Sequence, residues 1–131
     1  MRVHDAAFIA AIKTDEGLAT TTFEGTVTNR PARYVSVFPR ESRAVGRFTG
    51  PHSTLTNEYV VHSVGATPDQ AKWAREHMLE KVLDKTFVIE GWRNGRVQFI
   101  TSQPLAIDKD VNPALWYTVD VLAFDSERLL T

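Results

Sequence analysis

The chain has 131 residues, with 15 basic and 16 acidic side chains and no cysteine, and its length and composition are typical of one globular domain. The missing cysteines exclude a disulfide framework, a thiolate zinc site and a thiol nucleophile, and a formal net charge of −1 argues against a dedicated nucleic-acid binder. The apolar run Ala6–Ile12 lies between Asp5 and Lys13 and does not resemble a signal peptide, and no run approaches the length of a membrane span. We therefore expect a soluble, intracellular domain.

The first third of the chain predicts one helix and little regular β structure. Asp5 is placed to cap a short helix that continues through Lys13. The threonine-rich stretch 20–28 predicts irregular or weak β structure. Tyr34–Phe38 is a compact β-prone run, which Pro39 ends.

The segment from Arg40 to Asn57 predicts a protruding arm or a loose hairpin. It is polar, contains turn-forming residues such as Gly50-Pro51, and is too long for a tight turn. A floppy surface loop is the alternative interpretation of the same composition. Long connections of this kind in a compact domain are commonly functional or mobile.

A strand and the most clearly marked helix follow. Glu58–Val64 has the composition of a strand, and Gly65 breaks it. Thr67 has the features of a helix cap, because proline follows it and Gln70 lies three residues beyond it. We expect the helix to continue to about Asp84, with one apolar stripe formed by Ala71, Ala74, Met78 and Val82.

The last third of the chain predicts three strands. Thr86–Trp92 and Arg96–Ser102 are β-prone runs on either side of Asn94-Gly95, a favoured type I′ hairpin turn. Residues 103–113 predict a polar bend. Leu115–Phe124 carries apolar groups on both faces, so we expect it to be a central strand that is at least partly covered on both sides.

This order of elements predicts an α+β domain with a mixed or mostly antiparallel sheet, two helices packed on one face, and a protruding arm or hairpin at about residues 40–57. No internal repeat, linker or low-complexity tract divides the chain. Residues 1–131 are therefore expected to form a single domain.

The sequence contains no recognisable catalytic or ligand-binding motif. It has no nucleophile elbow and no phosphate-binding glycine loop. Asp108-Lys109-Asp110 matches only the first ligand positions of a calcium-binding loop. None of the histidines has metal-motif spacing: His4, His52, His62 and His77. We therefore predict no catalytic, cofactor-binding or metal-binding residues. A small enzyme or ligand-binding domain that uses His62 or a pair of acids remains the alternative from a different functional class.

The charges are unevenly distributed along the chain. The segment from Arg30 to Leu55 has a local charge of +4, from Glu41 and the arginines Arg30, Arg33, Arg40, Arg43 and Arg47. The remainder carries −5, with many of its acids late in the chain: Asp108, Asp110, Asp120, Asp125 and Glu127. Such a chain can attract another copy of itself. Two solvated faces without a partner would give the same pattern.

Six motifs in the chain carry a resemblance to a known family. They are FTGPHSTL at 48–55, YVVHSVG at 59–65, DQAKWA at 69–74, GWRNGR at 91–96, SQP at 102–104 and DKDVNPALWYTVD at 108–120. In this order and spacing they resemble the tail terminator (tail-completion) proteins of long-tailed bacteriophages, and are most similar to the versions from phages of actinobacteria. The resemblance covers about residues 34–125. The first 33 residues match mainly in having a short helix before the first strand.

The resemblance implies a small α+β structural protein without enzymatic activity or cofactor. Such proteins form a hexameric ring on the head-proximal end of the tail tube, stop its polymerisation and present a surface to the neck. The implied partners are further copies of the chain, the major tail tube protein and a head-completion, stopper or neck protein, while DNA passes through the lumen without sequence readout. No membrane is involved, and the implied location is the virion, after assembly in the host cytoplasm. Another neck protein is the alternative within this class.

Combining this family with the charge distribution gives a set of candidate interface residues. We expect the basic arm to contact a neighbouring subunit or the tube, with arginines meeting carboxylates, because a ring needs one patch to fit a different patch on the next copy. A competing role for the arginines is to face DNA in the lumen. The candidates are Arg40, Arg43, Arg47, Phe48, Asp108, Asp110 and Asp125.

Overall fold

The computed structural model describes residues 2–28, 30–40, 43–45 (backbone alone) and 54–129. Two helices are present in this part of the chain, α1 (Val3–Lys13) and α2 (Pro68–Val82). The strands are β1 (Thr22–Glu24), β2 (Arg33–Pro39), β3 (Arg43–Val45), β4 (Thr54–Gly65), β5 (Trp92–Asn94), β6 (Gln98–Asp108) and β7 (Leu115–Arg128).

All seven strands belong to one sheet built around β4 and β7. These two strands pair antiparallel along the whole of β4, from Thr54 opposite Glu127 to Gly65 opposite Trp116. β2 and β3 pair with the other edge of β4, while β5 and β6 pair with the other edge of β7. Only β1, which pairs parallel with β2, departs from the antiparallel pattern. The predicted α+β fold with a mixed, mostly antiparallel sheet is confirmed.

Both helices pack on one face of this sheet, as predicted. Alternate residues of the central strands, such as Tyr59 and Leu122, join the helices in one buried cluster. Phe8 of α1 stacks on Tyr59 with ring centroids 4.1 Å apart. The predicted stripe on α2 is fully buried in the structure: Ala71, Ala74, Met78 and Val82. A smaller cluster covers one end of the opposite face, so β7 is a central strand with apolar contacts on both sides.

The start of α1 differs from the prediction. The residue before its first turn is Arg2, which makes no side-chain cap, and Asp5 lies inside the first turn. The Asp5 carboxylate instead accepts hydrogen bonds from Arg2 Nη2, at 2.7 Å, and from the buried Tyr59 hydroxyl, at 2.9 Å. Burial, and then the Asp5 charge, raise the pKa of Tyr59. The carboxylate therefore docks α1 on the sheet rather than capping it.

The start of α2 agrees with the prediction. Thr67 Oγ1 accepts a hydrogen bond from the Gln70 backbone N–H at 3.2 Å, and Pro68 is the first helical residue. The helix ends at Val82, two residues earlier than expected. Asp84 then adopts a positive φ of 61°.

The predicted hairpin across Asn94-Gly95 is wrong. β5, which covers only Trp92–Asn94 and so contains Asn94, and β6, which begins at Gln98, pair with β7 and not with each other. The Asn94 side chain donates to the Phe87 carbonyl at 2.8 Å and accepts from Ser126 Oγ at 2.6 Å. The Gly95 N–H donates to the Asp125 carbonyl at 2.8 Å. The long edge of β7 offers more pairing than a local turn, so the segment follows that edge.

The predicted polar bend at 103–113 is too long at its N-terminal side. β6 continues through Pro104 to Asp108, and its register against β7 shifts between Gln103 and Ala106. Proline removes a ladder N–H, and a strand with a free edge and an irregular register accommodates it. The non-strand connection is confined to residues 109–114.

The predicted arm is also shorter than expected. Residues 54–57 form the start of β4 and pair with β7, so they belong to the sheet. β3 pairs antiparallel with Thr54–Thr56, which agrees with the hairpin interpretation. Residues 41–42 and 46–53 lie outside the described residues, so the projection of the arm stays a prediction.

A close approach between β4 and α2 gives the first testable prediction. A Cβ added at Gly65 would lie 2.4 Å from the backbone N of Ala71, a contact that no side-chain movement relieves. We expect Gly65→Ala to lower the free energy of unfolding by about 1–3 kcal/mol, the usual cost of overpacking. Gly95→Ala is the matched control, because its added Cβ meets only the Asp125 carbonyl oxygen at 3.7 Å. Urea denaturation of both variants measures this difference, and equal stability would contradict the backbone contact.

The attachment of α1 gives a second prediction. Tyr59→Phe keeps the stacked rings but removes the hydrogen bond to the Asp5 carboxylate. We expect a loss of roughly 1.5–3 kcal/mol of unfolding free energy, the range for hydrogen bonds to charged groups. Tyr117→Phe serves as the control, because Tyr117 is half-buried on the opposite face of the sheet. Thermal denaturation followed by circular dichroism should separate the two variants, and indistinguishable midpoints would refute the docking role.

Candidate assembly surface

The residues predicted to form an interface lie at opposite ends of the sheet. Arg40 directly follows β2, and Arg43 lies in β3 opposite Thr56 of β4. Asp125 lies opposite the same Thr56 on the other side of β4 and accepts its hydroxyl hydrogen bond at 2.8 Å. The base of the basic arm is therefore next to an acidic residue of the same chain.

Asp108 and Asp110 are at the other end of β7. Asp108 pairs with Leu115 of β7, and Leu115 precedes Asp125 by ten residues in that strand. The two aspartates are therefore about 33 Å apart along β7. Asp108 is half-buried and accepts a hydrogen bond from the Asp110 backbone N–H at 3.0 Å, while Asp110 is exposed. The late acids therefore form separate sites rather than one acidic end.

Three of the five arginines in the basic segment contact the body of the domain. Arg40 Nη1 lies 3.0 Å from Glu58 Oε2. The Arg33 guanidinium lies 3.5 Å from the centroid of a Trp73 ring, in cation–π geometry. The third arginine, Arg30, hydrogen-bonds to the Tyr34 side chain. Burial raises the pKa of Tyr34, and the charge and hydrogen bond of Arg30 oppose that rise.

The remaining candidates fall where the structure gives no side chains. Arg43 is described by its backbone alone, and Arg47 and Phe48 lie outside the described residues. Because the other three arginines have partners within the chain, the prediction of an intermolecular role now concentrates on Arg43 and Arg47.

One of the acids counted in the charge distribution belongs to the interior. Asp120 is fully buried, and both of its oxygens lie 3.1 Å from Arg75 Nε. Burial raises the pKa of Asp120, and the Arg75 charge and hydrogen bond oppose that rise. Arg75 and Asp120 lie 45 residues apart in sequence, on a helix and on a strand, so no pattern in neighbouring residues indicates this pair.

The sheet face opposite the helices holds a shallow pocket of about 300 Å³. His62 contributes to it together with Arg30, Asp108 and Tyr117. Burial lowers the pKa of His62, and its ring packs 4.9 Å from the centroid of Phe38. Among the described residues no carboxylate hydrogen-bonds to His62, the arrangement that orients a catalytic imidazole.

A larger crevice of about 400 Å³ lies between α2 and the sheet edge formed by β6. Lys72 and Arg75 line it from α2, Thr118 from β7, and residues 102–105 from β6. The Thr118 hydroxyl is buried without a hydrogen-bond partner among the described residues. The sequence prediction missed this crevice, because it depends on β6 continuing through the segment assigned to a bend.

The described part of the chain contains no group of three or more His, Asp or Glu side chains arranged to hold a metal ion. Neither helix in that part is long and apolar enough to cross a membrane.

Comparison with known proteins establishes a likeness of fold. No protein-family model matches the chain, and no curated protein sequence does. Among solved structures, a chain from the virion of a native gene transfer agent (GTA) particle matches with a TM-score of 0.71. The match covers 93% of this chain and 92% of that chain at 17% sequence identity. The two chains therefore share one fold over nearly their full lengths.

Proposed function

We propose that this chain is a structural virion protein, and specifically a tail terminator that forms a hexameric ring on the tail tube. The ring caps the tube, stops its polymerisation and joins it to a head-completion, stopper or neck protein. DNA passes through the lumen without sequence readout. The protein acts without cofactor or enzymatic activity, at the head-proximal end of the tail.

The observation that carries the proposal is the match in fold to a chain of a GTA virion particle, over nearly the full length of both chains. A likeness of fold to one chain of a virion supports a structural role in a particle and leaves the position within that particle open. The specific role therefore rests on the resemblance of residues 34–125 to tail terminators.

The motifs behind this resemblance pack together in the structure, which supports treating them as one unit. Gly65 ends the first strand motif and lies against Gln70 and Ala71, which open the helix motif. Trp73 of the same helix motif packs against His77, with centroids 3.9 Å apart, and against Arg33. The strand motif at 59–65 and the helix motif at 69–74 therefore meet at the junction between β4 and α2.

The charges support a contact between unlike patches of neighbouring copies. Arg43 and Arg47 lie in the arm, and Asp110 is an exposed acid at the opposite end of β7. A heterologous contact of this kind closes into a ring when the rotation between copies allows it.

Charge reversal in the arm tests this contact. We expect Arg43→Glu/Arg47→Glu to abolish the species of six times the 14.7 kDa chain mass and to leave the monomer folded. Lys13→Glu/Lys85→Glu is the matched control, because it makes the same change in net charge at exposed positions outside the arm. Size-exclusion chromatography with light scattering, and negative-stain images of the wild type and both variants, measure the outcome.

Two results would count against the proposal in different ways. A wild-type chain that stays at its monomer mass, with no ring in the images, contradicts the ring itself. A ring that survives the arm reversal contradicts the role of the arginines. If Arg43→Gln/Arg47→Gln keeps the ring but changes DNA passage, the arginines face the lumen.

A further inference from the structure

β6 is an outer strand with a long unprotected edge. Within the described residues it pairs with β7 alone, and its first seven residues are exposed. No charged residue occurs between Gln98 and Ile107, while Phe99 and Ile100 are 41% and 55% exposed. Proteins usually protect such edges with charges, because an uncharged edge pairs with strands of other chains. This edge has only Pro104 and two irregularities in register.

Two basic side chains of α2 line the crevice beside this edge. Arg75 is held by the buried Asp120 through Nε alone, which leaves its two terminal nitrogens for another acceptor. Lys72 is exposed one turn earlier and forms no ion pair with a described residue. Thr118 lines the crevice from β7, but its hydroxyl oxygen is fully buried and, like that of Ser63 opposite it on β4, lacks a partner among the described residues. Lys72 and Arg75 are therefore the side chains that can donate to a ligand in the crevice.

The charge balance selects the kind of ligand. Asp120 offsets much of the charge of Arg75, and Lys72 is the other charged residue in the lining, so the lining carries roughly one net positive charge. One carboxylate matches this charge, whereas a phosphate dianion or a DNA backbone would bring more negative charge than the crevice balances.

The register of the sheet shows how a carboxylate would reach the crevice. Ser102 lies opposite Asp120, so its side chain points to the helix side of the sheet. A residue opposite Ser102 on an added strand points to the same side, because directly paired residues share a face. Between its two irregularities, β6 pairs regularly at Thr101–Gln103, which is enough backbone for a short added strand.

We propose that an extended segment of a partner protein pairs with β6 at Thr101–Gln103 and places one glutamate carboxylate between Lys72 and Arg75. Backbone hydrogen bonds along the edge hold the segment, and the carboxylate fixes its register. This interaction is separate from the arm contact and does not depend on a ring.

A peptide titration of the full chain tests the site. The probe is acetyl-Thr-Val-Glu-Val-Thr-amide, followed by the backbone amide shifts of Thr101–Gln103 in NMR spectra at concentrations up to about 10 mM. We expect saturable shifts, and binding weaker by about tenfold or more when glutamine replaces the glutamate. No shift at the highest concentration, or equal binding of the glutamine peptide, overturns the proposal.

Modified probes separate strand pairing from simple anion binding. One peptide is N-methylated at the glutamate and another at the two valines, so that each blocks one edge of the added strand. We expect one version to lose binding and the other to retain it, because only one edge faces β6. Retention by both versions, or an equal response to inorganic phosphate, overturns strand addition. Shifts that depend on protein concentration alone would identify a second copy as the occupant and also overturn the proposal.

One variant tests the Lys72 donor without damage to the fold, because Lys72 is exposed. Lys72→Gln should weaken binding of the glutamate peptide several-fold and leave binding of the glutamine peptide unchanged. Equal binding of the glutamate peptide by the variant and the wild type would overturn the assigned role of Lys72.

Discussion

The antiparallel pairing of β4 with β7 is the constraint on which the rest of the fold depends. Every other strand except β1 is attached to one of these two, and the buried residues of both helices pack on their shared face. The pairing joins segments about 60 residues apart in sequence, so it carries a large loop-closure cost that the aromatic and aliphatic packing must offset. The Phe8–Tyr59–Phe124 stack, with centroid separations of 4.1 and 6.0 Å, lies directly on this pairing.

Features that depend on neighbouring residues could be predicted from the sequence. The Thr67 cap, the apolar stripe of α2 and the central position of Leu115–Phe124 follow from local periodicity and short-range hydrogen bonding, and all are present in the structure. The α+β class follows from the order of such elements. The predicted cap at Asp5 failed because its carboxylate accepts a hydrogen bond from the Tyr59 hydroxyl, which is distant in sequence.

Features decided by distant strands could not be predicted. Asn94-Gly95 has the composition of a tight turn, but the free edge of β7 and the Ser126 side chain determine its conformation. The distribution of charges along the sequence likewise does not show which charges are exposed on the surface. Asp120 is buried, and Arg33 and Arg40 have partners on the body of the domain. The crevice beside β6 requires both the extended β6 and the Arg75–Asp120 pair, and neither produces a pattern in neighbouring residues.

The continuity of β4 has a mechanical consequence. This single strand, about 40 Å long, connects the base of the arm to the close contact between Gly65 and α2. A pull on the arm along the strand axis loads the hydrogen bonds to β7 in shear, so they resist together rather than breaking one after another from the end. The domain is therefore stiff along this direction. A tether attached to the arm would be held most strongly when it is pulled in this direction.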